Sequence, residues 1–196
     1  VIRVLTRLTE TAAEDQLLAG FLDYARITNA ASIPDATARL RSAIARFQSM
    51  TGRALLTQTY RLTLDQWPVS GSIELGRAPV SAVSSITYLD TADDTQTVTA
   101  SHYALLQGED TPGQVYLRDA FDWPSLSDSP AAVIVAYTAG HTSADLLPAH
   151  WVTAIYAIAA GEDSIRTPGI SGTIYTQVTG GAADLIAQCR IGGFIG

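Results

Sequence analysis

Between Met50 and Gln58 the chain changes the period on which its apolar side chains repeat. Before this junction Leu40, Ile44, Phe47 and Met50 recur at three- and four-residue intervals, as on one face of a helix. After it Tyr60, Leu62 and Leu64 alternate with Thr59, Arg61, Thr63 and Asp65, as in a half-buried strand. The linking stretch Thr51-Gly52-Arg53-Ala54-Leu55 contains the residue best suited to stop a helix with a positive φ, Gly52. A chain that switches period in this way is committed to a mixed architecture, and the elements on either side have to find separate partners for their apolar faces.

The helical part is readable on both sides of a long β-patterned region. A first helix is expected from about Ala12 to Ile27, with Leu17, Leu18, Phe21, Leu22 and Ala25 as its stripe. Thr11 and Glu14 have the spacing of a capping box, and Asn29 with Ser32-Ile33-Pro34 is expected to end the helix. Gly20 lowers propensity but permits close helix approach. A second helix is expected from Pro34 or Asp35 to about Met50, with Pro34 in a first turn where its missing N–H costs nothing. A third is expected from Asp145 or Leu146 to about Ala160, carrying Trp151, Ile155 and Ile158, with Gly161 as its stop. These amphipathic helices are expected to pack on one another. A short last helix is expected over residues 182–190, with Leu185, Ile186 and Cys189 as its contact face.

Between them, Gln58–Trp67, Ser72–Leu75, Val83–Leu89, Thr95–Thr99, Tyr103–Leu106, Gln114–Arg118 and Ala132–Tyr137 read as strands separated by turn-rich sequence. Short strands without intervening helices imply an antiparallel insertion and not a nucleotide-binding α/β sheet. Another strand-like stretch is Thr173–Val178, beyond the Pro168-Gly169 loop. The fold class expected is α+β, a small helical bundle with an antiparallel β insertion and an extended C-terminal segment. In residue ranges, the helical body covers 1–56 and 141–165, the β insertion 57–140 and a loop region 166–181. Residues 182–196 form the C-terminal segment, whose glycine-rich ending still carries Ile191, Phe194 and Ile195 to bury.

Charge narrows the function classes. Only 16% of residues are charged, against roughly 25% in ordinary globular domains. Twelve basic and 19 acidic residues leave a formal net charge of −7. No cluster of Lys and Arg offers a duplex a neutralising surface, although Arg39, Arg41, Arg46 and Arg53 form a modest group. Cys189 is the only cysteine, which excludes an intramolecular disulfide and points to a buried thiol. The opening residues lack a signal peptide's apolar core, and no apolar run approaches the roughly 20 residues of a membrane span. A soluble protein made in a reducing compartment is expected.

Chemistry finds no foothold. His102, His141 and His150 have no HExxH spacing, and a lone cysteine supplies no CxxC ligand pair. Asp93-Asp94, Glu109-Asp110 and Glu162-Asp163 lie in polar, turn-like sequence where solvation accounts for them. Gly71–Gly76 lacks the Lys-Ser/Thr of a phosphate loop, and no GxSxG elbow is present. No catalytic residue, cofactor or metal is assigned. The aromatics Trp67, Trp123 and Tyr137, at strand ends or turns, are instead expected in a local core role, or as cover for the sheet or anchors for a partner.

Taken in order along the chain, several segments resemble the head–tail connector, or adaptor, family of tailed phages, which includes versions in gene transfer agents. They are Val1–Glu10, the Ala45-Arg-Phe-Gln-Ser-Met-Thr-Gly-Arg-Ala-Leu55 junction, Tyr60–Pro68, Ile73–Val80, Ser84–Asp90 and Val133–Gly140. Leu185–Arg190 is similar to the family's Leu-rich, Arg-ending terminal segment, with Gln188-Cys189 where family examples often have Pro-Tyr. Residues 161–181 depart from the pattern.

The resemblance implies a mechanical and connective role. Copies of the chain would form a ring, usually of twelve, that binds the portal on one side and a stopper or tail-terminator protein on the other. DNA would pass through the channel without sequence-specific binding, and no membrane is involved. Portal docking falls on Leu185, Ile186, Arg190 and Phe194. Subunit contacts are expected at Arg39, Arg46, Arg53, Trp67 and Trp123, with Arg53 alternatively tethering the helix-to-strand junction. The setting implied is the bacterial cytoplasm during assembly, then the head–tail junction of a phage or gene transfer agent particle. Competing readings are a soluble α+β protein-binding module outside a particle, a hydrolase with a carboxylate site at Asp93 or Asp94, and direct duplex binding through scattered arginines.

Overall fold

The computed structural model describes residues 3–118, 122–164 and 186–191. The chain divides into two compact units, a helical one made of Ala12–Leu56 and His141–Arg190, and a β unit made of Val1–Thr11, Thr57–Gly140 and Ile191–Gly196. Elements of both kinds give the α+β class expected from the sequence.

In the helical unit, α1 (Ala13–Tyr24), α2 (Ile33–Thr51) and α3 (Ala149–Ser164) bring their stripes together. Leu17, Phe21, Leu40, Ala43, Ile44, Phe47, Trp151, Ile155 and Ile158 form one buried cluster with Leu55 and Leu56 of the junction. Phe47 meets Trp151, and Phe21 meets Tyr156, as tilted aromatic pairs. Gly20 is the close approach on α1: a Cβ there would lie 2.5 Å from the Tyr156 hydroxyl, which itself donates to the Leu17 carbonyl at 2.9 Å. Pro34 occupies the first turn of α2, and Gly52 ends that helix at φ 75°, its N–H donating to the Gln48 carbonyl.

Three helix boundaries differ from the sequence expectation. The N-cap of α1 is Ala12, without a side-chain cap; the Thr11 hydroxyl donates to the Thr57 carbonyl and Glu14 pairs with Arg41 at 2.7 Å. The capping box is therefore not formed, because both of its side chains have partners elsewhere. At its other end α1 stops at Tyr24, ahead of Ile27. Arg26 takes φ 53°, and the Arg26 and Ile27 N–H groups donate back to the Asp23 and Leu22 carbonyls. This is a Schellman closure without its usual glycine. For α3, Ala144–Leu146 forms a separate 3₁₀ turn capped by the Ser143 side chain, and the helix runs through Gly161 to Ser164. A glycine costs a helix interior about 1 kcal/mol, too little to end one whose face is buried.

The β unit contains two antiparallel sheets. The larger has the order β1-β2-β8-β4-β5, from Arg3–Glu10, Gln58–Leu64, Val133–Ala139, Val80–Leu89 and Thr95–Thr97. The smaller has the order β3-β7-β6, from Ser72–Glu74, Gln114–Leu117 and Tyr103–Leu106. The expected strands are present; β1 is an addition, since period reading assigns no element to residues 3–10. Leu62, Val135 and Ile86 share one register row of the inner face, and Tyr60 stacks on Tyr137 in the next. The small sheet packs here, with Gly113 against Val80 and Gly76 against Leu5 so closely that added Cβ atoms would lie 2.5 and 2.9 Å from those side chains. Burial raises the pKa values of both tyrosines above the ordinary phenol value.

Register also defines the outer face. One row runs Val4, Thr63, Ile134, Thr87, Thr97 from edge to edge, and the next Thr6, Arg61, Ala136, Ser85. Arg61 is the lone charge among these nine residues. Of residues 173–178 and 182–190, both expected to form elements, only the part from 186 lies within the described residues, where 186–189 is helical.

Candidate interaction surfaces

In the helical unit, the group of arginines read from the sequence is taken apart by the fold. Arg53 is only 1% exposed. Its guanidinium lies 4.3 Å above the Trp151 ring, and its Nε donates to the Cys189 carbonyl at 2.6 Å. The junction itself is held by short bonds: the Thr51 hydroxyl donates to Phe47 and accepts from the Arg53 N–H, while Gln48 Oε1 accepts from the Leu55 N–H. Arg53 is thus the tether weighed in the sequence reading, and it anchors residues 186–190 as well as the turn. Arg39 pairs with Asp35 one helical turn earlier at 3.1 Å, Arg41 pairs with Glu14, and Arg46 is exposed.

Of the proposed portal-docking residues, Leu185 and Phe194 lie outside the described residues. Ile186 is buried within its own unit, as is Cys189, whereas Arg190 is exposed. The contact face expected around Ile186 and Cys189 is used internally.

In the β unit, Trp67 and Trp123 stack with centroids 4.2 Å apart and planes 13° off parallel, and Tyr88 joins them at 5.9 Å. Trp67 Nε1 donates to the Pro124 carbonyl, so the loop after β7 is fastened over the end of β2. Both tryptophans remain partly exposed. Tyr137 takes the core role among those open to these aromatics: it is 1% exposed, because its position in β8 faces the inner sheet layer. Val69, in the turn after Trp67, is fully exposed.

Two carboxylates of the Asp90–Asp94 turn, Asp90 and Asp93, are held by hydrogen bonds. Asp90 accepts from the side chain of Gln96 and the N–H groups of Ala92 and Asp94, which together hold its carboxyl below the ordinary range. Asp93 accepts from the hydroxyls of Ser127 and Ser129. No group of three or more His, Cys, Asp and Glu residues with metal-binding geometry occurs among the described residues.

The edges of the larger sheet are the most open features of the β unit. Along β1 every residue but Leu5 is exposed, including Val4 at 51% and Leu8 at 48%. Leu8 sits at a bulge, where the register with β2 slips between Arg7 and Thr9. At the opposite edge all three residues of β5 are exposed. Arg3 and Arg7 lie on β1, and the Asp90–Asp94 turn adjoins β5.

No protein-family model and no curated protein matches the chain. Solved structures do. A chain in the neck of an empty GTA particle, described with C6 symmetry, matches with a TM-score of 0.78 at 24% identity, over 98% of each chain. Chains in the virion of a native gene transfer agent particle and in the neck of a native GTA particle with C12 symmetry match over the same 98% of each chain at 24% identity, with TM-scores of 0.79 and 0.75. The chain has the fold of these particle components from one end to the other.

Proposed function

We propose that this chain is a head–tail adaptor: a structural subunit whose copies form a ring, join the portal to the stopper or tail, and continue the DNA channel. The observation that supports this best is the fold shared over 98% of both chains with components of gene transfer agent necks and virions. The C6 and C12 symmetries described for two of those particles favour a ring of twelve. The role is mechanical. Positions held by packing and backbone bonds, not a reactive constellation, are what such a ring needs.

The charge balance fits passage of DNA. A chain with net charge −7 repels phosphate, so duplex slides through without the counterion-driven adhesion that a basic lining would create. Portal docking is assigned to Leu185, Ile186, Arg190 and Phe194, with the Arg53 tether setting where this segment leaves the helical unit. Arg39, Arg46, Trp67 and Trp123 are assigned to contacts between subunits. Assembly in the bacterial cytoplasm and residence at the head–tail junction follow from this role.

Electron microscopy of the purified full chain, alone and mixed with the portal protein of its own particle, tests the reading. Twelvefold rings stacked coaxially on portal rings are the expected result. Single copies that never associate with portal, at any concentration, would overturn it.

A further inference from the structure

Long edge strands are usually blunted in native proteins by prolines, lysines, brevity or a covering element, because an open edge recruits other strands. β1 is eight residues long, has neither proline nor lysine, and leaves Val4 and Leu8 in water. Its one irregularity is the bulge at Leu8, which leaves Arg3–Arg7 in regular register. Among the described residues β5, three residues long, is the other edge of the same sheet.

The two edges are complementary in direction and charge. All neighbours in the order β1-β2-β8-β4-β5 are antiparallel, so β1 and β5 run the same way. The register row Arg3, Leu64, Val133, Tyr88, Gln96 crosses the whole sheet, so Arg3 and the Asp90–Asp94 turn lie at the same end of it on opposite edges. At that end Arg3, which donates to the Glu74 carbonyl, marks one edge and three carboxylates the other, while Arg7 lies four residues farther along β1 in the row of Tyr60, Tyr137 and Val83. Glu10, the acidic residue of β1, is ion-paired with Arg7 at 2.8 Å, while Asp94 has no side-chain bond among the described residues.

We propose that β1 of one copy lies parallel to β5 of the next, extending the five-stranded sheet from subunit to subunit, with Arg3 at the end that meets the neighbour's Asp90–Asp94 turn. The occupant of each edge is a second copy of this chain. The contact is heterologous, since each copy offers two different edges, and only heterologous contacts close into rings of more than two. It covers Val4 and gives partners to backbone groups of β1 that have none among the described residues. The inference rests on the ring reading above and names the surface that builds it.

Disulfide trapping tests it. Val4 and Thr97 end the same register row. Within one copy four inter-strand spacings of about 4.8 Å hold them about 19 Å apart. A disulfide requires Cα atoms within about 7 Å, so a bond between cysteines at these positions has to join two copies. The full chain carrying Val4→Cys and Thr97→Cys, with the buried Cys189 retained, is expected to give a ladder of covalent oligomers under mild oxidation. Each single variant is expected to give none. Rings that form without that ladder would overturn the edge contact and leave the ring reading standing. A chain that neither assembles nor cross-links would overturn both, and a dimer from Val4→Cys alone would replace the proposal with a symmetric pairing of β1 strands.

Charge exchange supplies a second readout. Arg3→Glu, and separately Asp93→Lys with Asp94→Lys, are expected to raise the concentration needed for assembly about tenfold or more, like charges having replaced opposite ones. Mixing the two variants restores an attractive pairing at every contact and is expected to recover assembly. Folded variants that assemble normally when alone would count against the proposal.

Discussion

At Arg53 a cation has been withdrawn from water, and the surrounding residues compensate with an aromatic face and a carbonyl. Arginine suits this position because its planar head stacks on Trp151 while its Nε still reaches Cys189. Arg53→Met keeps most of the volume and removes both interactions. It is expected to destabilise the chain by about 1–3 kcal/mol, read from urea unfolding, and to speed amide exchange in residues 186–191 ahead of global unfolding. Unchanged exchange in that segment would deny Arg53 its anchoring role. Gly52 and Arg53 stand out in the sequence as a junction, but nothing in it names Cys189 as a partner, because 136 residues separate them.

Among the elements, α1 and α3 meet where a glycine faces a tyrosine. Gly20→Ala is expected to push the Tyr156 hydroxyl off the Leu17 carbonyl. Alanine improves helix propensity by about 1 kcal/mol, so the net effect on thermal stability is expected to be close to neutral. Gly20→Val, with a larger side chain against the same ring, is expected to lower the melting temperature clearly. A Gly20→Val protein as stable as the parent would show that α1 and α3 are not held this closely. The α1 boundaries show how local signals are overruled: Thr11 and Glu14 have capping-box spacing, yet Thr57 and Arg41 take those side chains. β1 escaped period reading because an exposed edge strand has no buried face. Val4, Leu5 and Leu8 therefore fall on no single alternation.

For the whole molecule the open question is how copies meet. If Arg3 on one sheet edge meets aspartates on the next copy, assembly has to weaken as salt rises. Sedimentation at about 0.05 M and about 0.5 M salt, where the Debye length falls from about 14 Å to about 4 Å, is expected to show a shift toward monomer. Rings indifferent to salt would point to the apolar part of the contact instead. The sequence alone determined the class of the segments that became α1 to α3 and β2 to β8, since helix and strand periods are local properties that a side chain expresses through its spacing from its neighbours. It determined the strands β2 to β8, the turn at Gly52 and the absence of a recognisable catalytic motif. Only the tertiary structure decided that residues 3–10 join a sheet edge, that Tyr137 is core while Trp67 and Trp123 stack at the surface, and that the four arginines part company. Each of those outcomes depends on register and on contacts between residues far apart in the chain, and no local pattern encodes them.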